Sequence, residues 1–93
     1  ITTGAGMDNV HYYGSSEHGS DIVTDFLVGS DTIVMSAITQ AVFDAISISD
    51  VNGSDTLIDL GFSNGVDLGQ VTLLGVNYSS LTDPHADLLT LLT

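Results

Sequence analysis

The 93-residue chain contains no lysine and no arginine, whereas its twelve acidic residues give it a formal net charge of −12 at pH 7. Nucleic-acid binding rests on basic side chains that neutralise phosphates, and attraction to anionic membranes needs the same groups. Both partners are therefore disfavoured, and cations or protein surfaces remain. No apolar run approaches the roughly 18 residues of a membrane span, so membrane insertion is not expected.

Cysteine is also absent, which excludes disulfides and thiolate metal sites. Hydrophobic residues make up 43% of the chain, and this content argues against disorder despite the high net charge. A folded core is therefore expected, but a chain of this length buries little surface and gains from a further constraint. A metal bound by oxygen ligands is the constraint that remains, and calcium is the first candidate.

Segment 3–11, Thr-Gly-Ala-Gly-Met-Asp-Asn-Val-His, fits the nine-residue calcium repeat G-G-x-G-x-D-x-U-x at every defined position except the first. Glycines allow left-handed turns and close backbone approach, the Asp8 carboxylate reaches the ion, and Val10 turns inward as a short strand begins. The alternative for Asp8 is an ordinary turn aspartate that bonds its own backbone. The pattern favours ligation, although such a site also needs a neighbouring turn.

Three Gly-Ser-Asp segments, at 19–21, 29–31 and 53–55, repeat the second half of this unit. Gly-Ser-Asp before a strand is also an ordinary turn signal. Asp31 and Asp55 are therefore either calcium ligands or turn residues, and the turn is favoured. Their spacing is too uneven for a regular coil of repeats.

Short β-branched runs predict an all-β fold with seven strands, at residues 10–13, 22–26, 32–35, 45–49, 56–60, 70–74 and 88–92. The Asn-Gly pairs at 52–53 and 64–65 predict hairpin turns. One or two short helical turns are expected, at 36–43 with Ser36 as the cap, and at 80–83, where Pro84 ends the turn. The predicted inner face consists of Phe26, Ile33, Ile38, Leu57, Val71 and Leu73.

From Gly4 onward the order of motifs resembles the C-terminal block of the RTX, or hemolysin-type calcium-binding, secreted bacterial proteins. Residues 21–26 look like the family's D-x-I-x-D-F, and residues 29–38 look like G-x-D-x-I-x-x-S-x-I. Segments 55–60, 71–76, 80–82 and 87–89 resemble its closing strands and end motif. The chain departs from the family at Thr3, in having one near-complete repeat, and at Asp87-Leu88 in place of Asp-Phe.

The resemblance implies a short parallel β-roll turn closed by a mixed, β-sandwich-like cap. It divides a single domain, 1–93, into a last calcium repeat with its closing turn, 1–25, and a β-cap with a C-terminal secretion segment, 26–93. The implied calcium ligands are the carbonyl oxygens of Gly4 and Gly6 and the carboxylate of Asp8, with Asp21 and Asp25 closing the last turn. It also implies export by a type I secretion apparatus and folding outside the cell, where calcium is plentiful.

Other chemistries have weaker support. The histidines and Glu17 lack zinc-ligand spacing, so solvent-facing histidines are favoured over a zinc site. No Gly-x-Ser-x-Gly elbow is present, so an enzyme is not expected. The sequence therefore predicts a non-catalytic calcium-binding C-terminal domain of a secreted, extracellular or cell-surface bacterial protein. The alternatives are a self-associating subunit of a calcium-dependent surface layer or filament, and the tail of a secreted hydrolase.

Overall fold

The structure, a computed structural model, describes residues 4, 8–14, 19–63 and 65–92. Strands dominate these ranges and the helices are short, which confirms the predicted all-β fold with short helical turns. The elements in chain order are β1 (Asn9–Tyr13), β2 (Ser20–Val23), β3 (Thr32–Ser36), α1 (Gln40–Asp44), β4 (Ser47–Val51), β5 (Asp55–Ser63), β6 (Val66–Leu73), a 3-10 turn (Tyr78–Ser80), α2 (Pro84–Leu88) and β7 (Leu89–Leu92).

The strands form two sheets, a parallel one in the order β1-β3-β7 and a mixed one in the order β2-β6-β5-β4. The chain passes from β1 in the first sheet to β2 in the second and returns to β3 beside β1. Asn9 pairs with Thr32, 23 positions later, and the whole of β1 follows the same register. The described residues between 8 and 36 therefore make one coil of a parallel roll, which we call the N-terminal coil.

Strands β4, β5 and β6 form an antiparallel meander, residues 47–73. Its first turn is the predicted Asn52-Gly53 pair, with φ angles of +56° and +74°. Two successive positive φ angles are what a tight hairpin turn requires, so this prediction is confirmed. At the second turn, Gly65 has φ +81° and lies between paired strands, whereas Asn64 lies outside the described residues.

Buried side chains from both sheets form one hydrophobic cluster. The predicted Phe26, Ile33, Val71 and Leu73 belong to it, and Ile38 packs against it while partly buried. The cluster's fully enclosed members are Val23, Ile33, Met35, Ile58, Leu60, Leu68, Val71, Leu73 and Leu88.

The prediction for Leu57 is wrong by one position along β5. Thr56 and Ile58 are fully buried, and Leu57 is only half-buried because alternate residues of a strand point to opposite faces. A buried threonine needs a partner for its hydroxyl, and Thr56 Oγ1 donates to the Val76 carbonyl at 2.7 Å. The observed register therefore turns the residues on either side of Leu57 toward the core.

Both helical predictions need correction at their boundaries. Helix α1 begins after Thr39, whose Oγ1 accepts the Val42 N–H, because Ser36 is the last residue of β3. Pro84 begins α2 rather than ending a turn, and Asp83 caps that helix. Proline suits the first helical turn because its φ is already helical and its missing N–H has no partner there. None of the described helices is long and apolar enough to cross a membrane.

Candidate functional site: the aspartate corner of the N-terminal coil

Asp8 and Asp31 lie at the same corner of the N-terminal coil, since each directly precedes one of the paired strands β1 and β3. The Asp8 N–H donates to Asp31 Oδ1 at 3.0 Å, and the Thr32 N–H donates to the Asp8 carbonyl at 3.0 Å. The two turns are thus joined by one carboxylate bond and one backbone bond. We call this pair the aspartate corner.

The Asp31 carboxylate is 2% exposed and accepts backbone hydrogen bonds with both oxygens. Its Oδ1 is the acceptor for Asp8, and its Oδ2 accepts the Leu27 N–H at 2.9 Å. A buried carboxylate is costly unless its oxygens are paired, and backbone N–H groups are strong partners for a charged acceptor. Asp31 therefore organises the turn before β3, and the turn interpretation of this Gly-Ser-Asp segment describes the observed contacts.

The Asp8 carboxylate lies in a different environment. Its Oδ2 is shielded from solvent and has no hydrogen-bond partner among the described residues. Most buried polar atoms in proteins do have a partner, so an orphaned carboxylate oxygen calls for an explanation such as an ion. Here the neighbouring Asp31 is a second acid, which makes the corner strongly acidic.

Gly4 and Asp25, two of the predicted ligand residues, are in contact through the Gly4 N–H and not through the carbonyl oxygen predicted to bind calcium. The Gly4 N–H donates to Asp25 Oδ2 at 2.7 Å, and Gly4 has the left-handed φ of +83° expected for a glycine of a calcium repeat. Gly6 lies outside the described residues. The contact ties the start of the predicted repeat to the segment that follows β2.

Asp21 is engaged by a tyrosine. Tyr12 is buried, and its hydroxyl donates to Asp21 Oδ2 at 2.9 Å, which links β1 of one sheet to β2 of the other. Burial, followed by the hydrogen bond and the negative charge of Asp21, raises the pKa of the Tyr12 hydroxyl far above its ordinary value. This carboxylate has a structural contact within the coil whether or not it meets an ion.

Within the described ranges, no three histidine, aspartate or glutamate side chains gather into a metal-binding group. Asp8, Asp21 and Asp25 are thus spread over the coil rather than gathered in one carboxylate cluster. A calcium site at the aspartate corner would depend on backbone carbonyl oxygens beside Asp8, which is the kind of ligand predicted for the two glycines.

The third Gly-Ser-Asp segment serves a loop contact, since Asp55 Oδ1 accepts the Gly75 N–H at 2.8 Å. His11 Nε2 lies 2.8 Å from Ser36 Oγ, and the His11 ring stacks on Tyr13. His85 packs edge-on against Phe43, a residue of α1. Glu17 and His18 lie outside the described residues.

Sequence reasoning missed Asp31 as the partner of Asp8. The signal is present in retrospect, because the Gly-x-Asp pattern of Gly6 and Asp8 recurs at Gly29 and Asp31 with the 23-residue spacing of the coil. The spacing becomes meaningful once β1 and β3 are known to be neighbours.

Comparisons with models of protein families, with curated proteins and with solved structures found no match to this chain.

Proposed function

We propose that this chain is a non-catalytic calcium-binding domain in which the ion binds at the aspartate corner and stabilises the N-terminal coil. The observation that carries the proposal is the Asp8 Oδ2 atom, buried without a hydrogen-bond partner among the described residues. Calcium prefers carboxylate and carbonyl oxygens and tolerates irregular geometry, so a turn of this kind suits it.

Electrostatics supports a cation at this corner. The chain has no lysine or arginine, so neither Asp8 nor Asp31 has a lysine or arginine of its own chain to pair with. Two acids side by side and shielded from water repel each other, and a divalent cation relieves that repulsion. Calcium would supply the opposite charge that the amino-acid sequence lacks.

The place of the domain in a longer protein rests on the resemblance to RTX proteins. We propose that it is the C-terminal domain of a protein exported by a type I apparatus, and that it folds outside the cell when calcium binds. The coil of β1, β2 and β3 would continue a parallel roll, and the meander with β7 would cap it. The protein would act as a secreted, extracellular or cell-surface bacterial component.

A calcium titration of metal-free protein tests the proposal. An ion that binds only the folded state stabilises it by about 2.7 kcal/mol at a hundredfold excess over Kd, so calcium should raise the Tm clearly. Magnesium should raise it much less, because it prefers a tighter and partly hydrated shell. Asp8→Asn should weaken the calcium response.

Asp44→Asn is the matched control, because Asp44 is exposed on α1 and its substitution removes the same charge. Its calcium response should equal that of the unmodified protein. A Tm that stays constant up to about 10 mM calcium, which covers weak extracellular sites, refutes the proposal. If Asp8→Asn and Asp44→Asn weaken the calcium response equally, calcium acts only by general screening of the negative charge.

A second candidate is a subunit of a calcium-dependent surface layer or filament. It is favoured by the position of β1 and β2, each of which is the edge strand of its sheet in the described part of the chain. Edge strands can pair with strands of another chain. Light scattering during the calcium titration separates the candidates: particle growth that EDTA reverses and Asp8→Asn abolishes supports the filament, and a steady monomer contradicts it.

A further inference from the structure

An irregularity in the meander places an aromatic ring on the surface. The pairing of β5 with β6 shifts on both sides of Gly61, so that Asp59 pairs with Gln70 while Phe62 pairs with Asp67. Phe62 is 66% exposed although it belongs to a well-paired strand. Bulges bend strands and redirect side chains, and they are over-represented beside functional sites.

Phe62 borders an open groove of about 430 Å³, which it shares with Asp59, Asp67, Gln70, Ser20 and the backbone of two glycines. This volume falls in the range of about 300 to 1,000 Å³ that is typical of ligand sites. Gly69 shapes the groove, because a Cβ there would overlap the backbone of Gly19. The backbones of residues 69–70 and Gly19 lie close together here, and the Gln70 N–H donates a hydrogen bond to the Gly19 carbonyl.

Both carboxylates of the groove are held in place by short turns. Asp59 Oδ1 accepts the Gly61 N–H at 3.1 Å, and Asp67 Oδ1 accepts the Gly69 N–H at 3.0 Å. Both residues are exposed, so water and ligands reach them. Because the chain has no lysine or arginine, no such side chain of its own can pair with these acids.

We propose that this groove, the Phe62 groove, binds an arginine side chain of a partner protein. A guanidinium group stacks on an aromatic face and donates hydrogen bonds to carboxylates in a planar array, so it matches an exposed ring beside two acids. The lysine ammonium group is compact and strongly hydrated, so it stacks less well on the ring and matches the two carboxylates less well than a planar guanidinium group. This site is separate from the aspartate corner and does not depend on calcium.

Two-dimensional NMR of the full chain in EDTA and low salt tests the assignment. The probe is N-acetylarginine methylamide, and its neutral, nearly isosteric counterpart is N-acetylcitrulline methylamide. The arginine probe should shift the amide signals of Gly61, Gly69 and Gln70 in a saturable way, and the citrulline probe should not. Methylguanidinium alone should bind more weakly, because it lacks the alkyl stem and the apolar contacts that the stem adds beside the stacked guanidinium group.

The variants separate ring, charge and general electrostatics. Phe62→Leu keeps an apolar side chain and the net charge but removes the aromatic face, so the arginine probe should bind about two- to fivefold more weakly. Phe62→Tyr should restore binding. Asp59→Asn and Asp67→Asn preserve an oxygen acceptor for their turns and should each weaken binding, whereas Asp44→Asn, with the same charge change elsewhere, should not.

Three outcomes overturn the proposal. Equal binding of the citrulline probe shows that charge is not recognised, and equal weakening by Asp44→Asn shows only a general attraction to an acidic protein. If calcium shifts the same amides and Phe62→Leu changes neither calcium nor arginine binding, the groove is a metal site and not an arginine site. The dispersed amide spectrum of each variant verifies that it is folded.

Discussion

The N-terminal coil and the meander use aspartate in opposite ways. In the coil, the Asp31 carboxylate is buried and joins turns that are 23 residues apart in sequence, and Asp8 Oδ2 is buried beside it. In the meander, Asp50, Asp59 and Asp67 are exposed and each accepts an N–H two or three residues further along the chain. These aspartates thus join distant turns in the coil and order local turns in the meander, where Asp55 is the exception because it accepts the Gly75 N–H 20 residues further along the chain.

The difference shows in which region the stability depends on charged side chains. The meander is held by two antiparallel ladders and by the buried faces of β5 and β6, so the carboxylates of Asp50, Asp59 and Asp67 add only local order. The coil is held by parallel pairing and by buried or half-buried acids, and the chain has no lysine or arginine to pair with them. We therefore expect the coil to be the region that responds to cations and to changes of its acids.

The largest effect is expected from Phe26, which with Tyr12 is an aromatic side chain that the coil contributes to the core. Phe26 is 6% exposed, so Phe26→Ala should reduce the free energy of unfolding by about 3 to 5 kcal/mol. Phe62→Ala, in the meander, is the control, and it should cost less than about 1 kcal/mol because that ring is exposed. Urea denaturation measures both values. A Phe26 loss below about 1 kcal/mol would mean that the coil adds little to the core.

An intermediate effect is expected from the buried aspartate. Asp31→Ala leaves the N–H groups of Asp8 and Leu27 without their acceptor, which should cost about 2 to 3 kcal/mol. Asp50→Ala removes a similar bond to the Gly53 N–H at an exposed turn and should cost about 1 kcal/mol or less. Chemical denaturation of both variants at one calcium concentration checks the difference. Equal losses would remove the contrast between coil and meander.

The smallest effect concerns the link between the two sheets. Tyr12→Phe removes the hydrogen bond to Asp21 and should cost about 1.5 kcal/mol at neutral pH. The raised pKa of Tyr12 means that the folded protein holds the phenolic proton more tightly than the unfolded chain. The contribution of Tyr12 to the free energy of unfolding is therefore complete below about pH 10, the ordinary tyrosine pKa, and is lost as the pH rises further.

Unfolding measured from neutral to alkaline pH tests the expected loss of the Tyr12 contribution to stability. The unmodified protein should lose stability above about pH 10 more steeply than Tyr12→Phe. Tyr13→Phe, which changes an exposed tyrosine of the same strand, is the control and should keep the steep loss. Parallel curves for Tyr12→Phe and the unmodified protein would contradict the assignment.

Local signals in the sequence predicted most of the elements. The Asn52-Gly53 turn was found because its chemistry is local, and the apolar runs around Ile33 and Val71 identify core strands for the same reason. Errors occur where the signal is ambiguous. The segment Thr56-Leu57-Ile58 reads equally well in either register, and a proline is compatible both with the end and with the start of a helix.

The short β-branched runs, the acid count and the absence of lysine and arginine are properties of the amino-acid sequence, and by themselves they determined an all-β chain that no lysine or arginine of its own can neutralise. Tertiary structure alone decided which acids meet. Asp8 and Asp31 become neighbours through parallel pairing of distant strands, and Phe62 comes to border Asp59 and Asp67 through a shift in strand register. The first contact joins segments 23 residues apart, which no local pattern encodes, and the second depends on an irregular register within one hairpin.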